Sequence, residues 1–288
     1  MISTGEVVVE GIAVAHGRGE SLPDLAVASS RRALASPSPV SAVVAATFSN
    51  PDRFPSLAVR VASALGLPAS TPAFDVQMAC SAYPYALYVA GKLAQDTGGK
   101  VLLVDGDVQS PFVDGADHAT GAIFSDACTA SVVSCGREGP GMAGPAKPPR
   151  SYFDFLSRAD DALRCPGTGP ISMDGFAVFS FVATEVSRFL SSFLDGVAAC
   201  DGSDPRSLPF APHQANPYMV RRLADELGVA DRLMTIPEEL KNPGSCSVPM
   251  ALAMKGRPGR VVVAGFGAGY SASAAVVRLG DGFARKAS

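Results

Sequence analysis

The chain has 288 residues, of which 47% are hydrophobic and only 18% charged, with a formal net charge of −3. A large apolar interior is available, and the charge provides no electrostatic basis for binding nucleic acid or an anionic membrane. A local basic patch facing an acidic carrier is not excluded.

The N-terminal Met1-Ile-Ser-Thr-Gly-Glu has no basic start running into an apolar core, so no signal peptide is expected. No apolar run approaches the roughly 18 residues that a bilayer span needs. The strand candidates begin with Val7 to Ala15, followed by a helix over Ala26 to Ala35, a strand over Val40 to Thr47 and a helix over Pro55 to Leu65. An extended segment, Phe74-Asp-Val-Gln-Met-Ala, ends at Cys80, and a helix over Pro84 to Gln95 follows. Strands are expected at Lys100 to Gly106 and Ala130 to Cys135, and helices at Val178 to Leu194 and Pro217 to Leu227. Arg260 to Ala264 and Ala274 to Leu279 complete the strands. This alternation predicts an α/β layered fold whose sheets are covered by helices.

The chain also echoes itself. Asn50-Pro51 followed by Pro55 to Gly66 returns as Asn216-Pro217 followed by Tyr218 to Gly228. Cys80-Ser-Ala-Tyr-Pro-Tyr-Ala-Leu returns, one residue shorter, as Cys246-Ser-Val-Pro-Met-Ala-Leu. Val101-Leu-Leu-Val and Val261-Val-Val-Ala open equivalent hairpins. Three echoes in one order predict two duplicated halves, 1–150 and 151–288, divided in the Pro-rich stretch Gly144 to Arg150. Loops of the second half then face elements of the first across a seam, where ligand sites favour forming.

Cys80 is the candidate nucleophile. At a strand-turn-helix junction, free N–H groups and the helix dipole favour the thiolate and can hold the oxyanion formed when it attacks a thioester. Spacing alone makes an inert buried cysteine the commoner outcome. The other cysteines (Cys128, Cys135, Cys165, Cys200, Cys246) form no CxxC pair, so neither a zinc site nor a disulfide framework is expected. One reactive thiol among inert ones fits a reducing, cytoplasmic setting. His213 lies in Phe210-Ala-Pro-His-Gln-Ala-Asn, at a strand end, and is one of three histidines; Asn242 lies in an Asn-Pro-Gly turn. Asp105 and Asp107 flank a strand end but lack a third oxygen ligand nearby, which argues against a metal. Gly265-Phe-Gly-Ala-Gly fits a tight turn better than a dinucleotide loop.

Taken together, these segments resemble the ketoacyl-acyl-carrier-protein synthase III family. Asp75-Val-Gln-Met-Ala-Cys-Ser-Ala-Tyr is similar to its nucleophile segment, Pro212-His-Gln-Ala-Asn to its histidine motif, and Asn242-Pro-Gly-Ser-Cys-Ser-Val-Pro-Met-Ala-Leu to its asparagine segment. Phe54-Pro-Ser, Met173-Asp-Gly-Phe-Ala-Val-Phe and Gly265-Phe-Gly-Ala-Gly add to the match, which runs from about residue 40 to 280 in family order. The resemblance implies a thiolase-like fold, two α/β halves in five layers (αβαβα). It implies that Cys80 takes an acyl group from coenzyme A or an acyl carrier protein, with the N–H groups of Cys80 and Ala268 as oxyanion hole. His213 and Asn242 would then stabilise the enolate of a malonyl-type thioester released by decarboxylation. Phe54 and Gly175 would shape the acyl pocket, Phe54 from a neighbouring subunit, so a homodimer is implied; Arg221 and Arg222 would contact the carrier or coenzyme A. Thioester substrates are implied and no permanently bound cofactor.

Three departures qualify the match. The segment Gly17 to Leu22 is short where the family has a longer insertion with a Trp and an Arg for coenzyme A, and this chain has no Trp. Tyr218 replaces an Arg of the family pattern. Pro243 follows Asn242, and Pro84 enters the helix behind Cys80. An altered donor or acceptor is expected. Transfer of the acyl group to an oxygen or nitrogen acceptor, or a non-catalytic partner subunit, are the alternatives.

Overall fold

A computed structural model describes residues 6–34, 40–114, 116–136, 152–167 and 169–286. The strands and helices run β1 (Val7–His16), α1 (Leu22–Ala33), β2 (Val40–Ala46), α2 (Leu57–Ala64), β3 (Ala73–Val76), α3 (Ala82–Thr97), β4 (Lys100–Asp107), α4 (His118–Gly121) and β5 (Ala127–Cys135). Next come β6 (Phe153–Ser157), β7 (Leu163–Arg164), β8 (Ser172–Met173), α5 (Gly175–Phe181), α6 (Ser187–Asp201), β9 (Phe210–Pro212), α7 (Pro217–Glu226), α8 (Ser247–Lys255), β10 (Gly259–Gly267) and β11 (Ser271–Lys286).

Strand pairing follows the order β3-β2-β4-β5-β1-β11-β10-β9. β1 is antiparallel to β5, β5 antiparallel to β4, and β4, β2 and β3 run parallel. The same senses recur later in the chain: β6 antiparallel to β11, β11 antiparallel to β10, β10 parallel to β9, and Phe210 of β9 bridged in parallel to Leu233. β11 is long enough to join the two sets, pairing with β6 over 271–275 and with β1 from Arg278 onward. The boundary expected near residue 150 lies outside the described residues.

Alternating side chains of the central strands enter different layers. Val43, Leu102 and Val104 pack against Leu25 of α1 and Leu57 and Val61 of α2. Val44, Leu103, Val261 and Val263 point the other way, into a core with Tyr83 and Leu87 of α3 and Val248 and Leu252 of α8. Val262, Ala264 and Phe266 face α5, α6 and α7 through Phe181, Leu190, Phe193 and Leu223. The result is helices, sheet, central helices, sheet, helices, the five-layer arrangement that the resemblance implies. Strands buried on both faces read as unbroken apolar runs.

Local chemistry explains most element ends. Ser21 caps α1 by accepting the Asp24 N–H, and the Asp75 carboxylate accepts the first two N–H groups of α2, from Leu57 (2.8 Å) and Ala58 (2.9 Å). Pro84 sits in the first turn of α3, where its missing N–H would have no helical partner.

The helix expected from Pro55 is α2, capped by Ser56, and 51–55 before it form an exposed excursion bearing Phe54. By contrast, Asn216 caps α7 directly through the Met219 N–H. Three expectations need correction. Only β10–β11 is a tight hairpin; between β4 and β5 the chain leaves the sheet over 108–126, and that excursion reaches the site described below. β6, β7 and β8 were not expected, the last two being two-residue strands too short to leave a pattern. Finally, Gly175–Asp201 is one continuous 27-residue helix, with mean hydropathy 1.3 over an 18-residue window, long and apolar enough to span a bilayer. Its scattered serines and glycines interrupt any unbroken apolar run. Its apolar stripe (Val182, Val186, Leu190, Phe193, Leu194, Val197) packs into the core.

Candidate active site

β3 delivers the chain to a sharp turn. Ala79 adopts φ +43°, a left-handed conformation costing a non-glycine residue about 1 kcal/mol, and Cys80 follows in the single 3-10 turn that leads into α3. The hairpin of β10 and β11 holds this turn in place. The Ser81 hydroxyl lies 2.8 Å from the Met78 carbonyl and 2.6 Å from Ser271 Oγ, and the Ser273 hydroxyl donates to the Ser81 carbonyl at 2.7 Å.

His213 continues β9, its N–H donating to the Ala264 carbonyl at 2.7 Å. The ring meets Phe266 edge-on with centroids 5.5 Å apart, and Nδ1 lies 3.1 Å from the Gly244 carbonyl and 3.0 Å from Ser247 Oγ. Asn242 is fixed from the other side. Its N–H donates to the Ile123 carbonyl (2.9 Å), and its carbonyl accepts from the Ser125 N–H (3.1 Å) and Gln109 Nε2 (3.0 Å). Its side-chain Oδ1 accepts the Gly244 N–H at 3.0 Å, which orients the amide and leaves its NH2 group as donor.

Cys80, His213 and Asn242 all line one cavity of about 220 Å³, together with Gly175, Phe266 and Gly267. Ile123 and Phe124 from the 108–126 excursion, and Leu163, Met173, Val178, Val182 and Met219, make its wall largely apolar. Of the residues singled out in the sequence, Cys80, Gly175, His213 and Asn242 therefore meet at one place. The backbone N–H groups of Cys80 itself and of Ala268, in the β10–β11 turn, act on the Cys80 sulfur in the direction that favours its thiolate. Phe54 stands apart, 84% exposed on the 51–55 excursion. Arg221 and Arg222 are exposed on α7; the Arg222 guanidinium lies over the Phe179 ring at 5.6 Å, and Tyr218 stacks on that same ring at 6.2 Å between centroids.

The electrostatics overturn one expectation. The helix start was expected to favour the thiolate, but the Cys80 thiol is pushed up to about 12 by burial first and by the Asp107 carboxylate second; the two N–H groups only partly offset this. Near pH 7 the Cys80 side chain is a thiol. Burial also pushes the Asp107 carboxyl up to about 6, despite donors from Thr47, Phe48 and Ser49, and the Asp105 carboxyl well above the usual range. Asp107 Oδ1 accepts from Thr47 Oγ1 (2.7 Å), the Phe48 N–H (2.9 Å), the Ser49 N–H (3.1 Å) and Ser49 Oγ (2.8 Å). Asp105 takes the Ser245 hydroxyl in a short contact. Asp107 thus ties the loop 47–49 to the end of β4 through N–H and O–H donors, and Asp105 ties the Ser245 turn to the same strand through one hydroxyl. The His213 imidazole is pushed down to about 4 by burial, with the Gly244 carbonyl acting the other way, so it is neutral near pH 7.

Sequence reasoning missed Gly244, Ser247 and the cavity wall. Gly244 has φ +71°, and a β-carbon there would stand 3.3 Å from Asp107 Oδ2, so the Asn-Pro-Gly turn carried a usable signal. Ile123 and Phe124 carried none, because nothing local links them to a site more than 40 residues away in sequence.

The profile described as 3-oxoacyl-[acyl-carrier-protein (ACP)] synthase III matches residues 74–144, and that for the family's C-terminal part matches residues 209–279. The β-ketoacyl-[acyl-carrier-protein] synthase III of Citrobacter koseri is 33% identical over 248 residues, covering 82% of this chain and 76% of the relative. That of Neisseria gonorrhoeae is 29% identical over 286 residues, covering 93% and 88%. The crystal structure of 3-oxoacyl-(acyl carrier protein) synthase III from Pseudomonas aeruginosa PAO1 superposes with a TM-score of 0.83 at 29% identity, covering 96% of this chain and 98% of that one. The priming β-ketosynthase from the R1128 polyketide biosynthetic pathway superposes with a TM-score of 0.79 at 25% identity, with 98% coverage of both.

Proposed function

Since this chain belongs to the 3-oxoacyl-[acyl-carrier-protein] synthase III family, we propose that it condenses acyl thioesters in fatty-acid or polyketide synthesis, with Cys80 carrying the acyl group. The convergence of Cys80, His213 and Asn242 on one apolar-walled cavity supports this reading above all.

In the first half-reaction the Cys80 sulfur attacks the carbonyl carbon of an acyl thioester of coenzyme A or of a carrier protein. The new S–C bond forms as the old one breaks, and the thiol proton leaves on the departing thiol. The N–H groups of Cys80 and Ala268 hold the oxyanion. In the second, a malonyl-type thioester loses carbon dioxide, and the resulting enolate oxygen takes hydrogen bonds from the Asn242 amide and the His213 imidazole. The enolate carbon then attacks the acyl carbonyl, a C–C bond forms, and the Cys80 thiolate leaves and recovers a proton from water. Aligned donors in a cavity with few competing polar atoms are worth far more than the same donors in water.

Arg221 and Arg222 on α7 are the cations proposed to meet the phosphate-bearing arm or the acidic surface of a carrier. The edge strand β3 and the exposed Phe74 and Phe54 support a homodimer in which Phe54 reaches the partner's acyl pocket. A cytoplasmic location, and an origin by duplication of halves 1–150 and 151–288, belong to the same proposal.

The test is intact-protein mass spectrometry with a series of acyl thioesters, followed by malonyl thioester. An acyl adduct on Cys80 that malonyl thioester discharges as a ketoacyl product is expected. Absence of the adduct overturns the role of Cys80; an adduct discharged only by amines or alcohols overturns condensation.

A further inference from the structure

The Ser247 hydroxyl is fully buried and accepts the Gln214 N–H at 3.1 Å. Its own hydrogen must go to an acceptor, and the one acceptor within hydrogen-bond reach among the described residues is His213 Nδ1, 3.0 Å away. The Gly244 carbonyl, 3.1 Å from the same nitrogen, competes for it as a place to send an Nδ1 hydrogen. That carbonyl, however, already accepts the Ser247 backbone N–H.

The two neutral tautomers therefore differ in their polar accounting. With the hydrogen on Nδ1, His213 donates to Gly244 and the Ser247 hydroxyl hydrogen is left buried without an acceptor. Leaving such a group unpaired costs about 1–3 kcal/mol. With the hydrogen on Nε2, Ser247 donates to Nδ1, Gly244 keeps the Ser247 N–H, and every group on the Nδ1 side is paired, while the Nε2 hydrogen faces the cavity.

We propose that Ser247 is a positioning residue that sets His213 in its Nε2–H tautomer, so that the imidazole presents a donor, not a base, to the cavity. His213 then matches Asn242, whose Oδ1 is occupied by the Gly244 N–H and whose amide can only donate. One six-residue stretch, Asn242 to Ser247, thus orients both donors: Gly244 through its N–H on Asn242, Ser247 through its hydroxyl on His213. A carbonyl oxygen gaining negative charge is what two converging donors stabilise. The inference rests on the functional reading only for its consequence, since the tautomer itself has a readout independent of turnover.

The test is the 15N shift pattern of the His213 ring in the full-length protein near pH 7, assigned by the signals lost in His213→Gln. The wild-type ring is expected to carry its hydrogen on Nε2, Ser247→Ala to move it to Nδ1, and Ser247→Thr, which keeps the hydroxyl, to restore Nε2. Condensation by Ser247→Ala should fall roughly 100-fold in kcat, the loss of one aligned donor, while acylation of Cys80 persists. A wild-type ring protonated on Nδ1, or a Ser247→Ala ring unchanged from wild type, overturns the proposal. Should Ser247→Ala fail to fold, the wild-type spectrum alone decides. A switched tautomer with unimpaired condensation upholds the assignment and overturns the role given to His213 in condensation.

Discussion

Gly267 lies directly against Cys80: a β-carbon built on it would stand 2.8 Å from Cys80 Cβ and 3.3 Å from Sγ. Its φ of +152° already disfavours any side chain. Gly267→Ala should therefore push the hairpin off the Cys80 turn, costing about 1–3 kcal/mol of stability and abolishing acylation of Cys80. Thermal unfolding and adduct mass measure the two effects. A variant that acylates normally would show that the Gly267–Ala268 turn does not hold the oxyanion.

Asn242→Ala removes one of the two donors facing the cavity but leaves the Cys80 turn untouched. Acyl-Cys80 should still form, while carbon dioxide release from malonyl thioester falls by about 100- to 1000-fold. Labelled carbon dioxide and adduct mass, followed on one sample, check both halves. Equal loss of both would remove Asn242 from the decarboxylation step.

The burial of His213 makes stability depend on pH. The imidazole is pushed down to about 4 in the folded protein from an ordinary 6.5, so between these values the unfolded chain binds more protons than the folded one. Stability is then complete above 6.5 and declines as pH falls towards 4. Urea midpoints across that window should fall more steeply for the wild type than for His213→Gln. Parallel curves would mean that the imidazole is not buried.

Burial pushes the Cys80 thiol up to about 12, and the charge of the Asp107 carboxylate adds to it. Asp107→Asn keeps an oxygen for the donors of Thr47, Phe48 and Ser49 but removes the charge. The pH at which Cys80 becomes alkylated by iodoacetamide should move downward, read by peptide mass spectrometry. An unmoved profile would assign the raised thiol to burial alone.

Dimerisation through β3 predicts that Phe74→Asp, on the edge strand, yields a monomer in sedimentation analysis with secondary structure intact. Because Phe54 would then leave the partner's pocket, the variant should also change acyl-length preference. A dimer that survives would place the interface elsewhere. At the entrance, Arg221→Glu should raise KM for a carrier-bound donor about fivefold with kcat kept, the scale of one exposed ion pair; Arg222 is a poorer probe because it also packs on Phe179.

Much of this molecule is legible in its chain. The strands β1, β2 and β4 are visible because side chains buried on both faces leave unbroken Val, Ala and Leu runs. Cys80, His213 and Asn242 are visible because each sits in a short segment whose residue types match a family pattern. The unequal lengths of the 51–56 and 216–217 helix entries, and the two-residue strands β7 and β8, are not, since they depend on what packs against them.

The sequence by itself determined the family and the layered fold and singled out Cys80, His213 and Asn242, because these rest on local patterns of burial and on motifs a few residues long. Only the tertiary structure decided the state of those residues. The thiol of Cys80 is raised because distant carboxyls and apolar walls close over it, outweighing the helix start that alone would favour the thiolate. The orientation of the Asn242 amide and the contacts of the His213 ring come from hydrogen bonds within a buried loop. Desolvation and hydrogen-bond partners belong to the folded environment, and no residue carries them in its name.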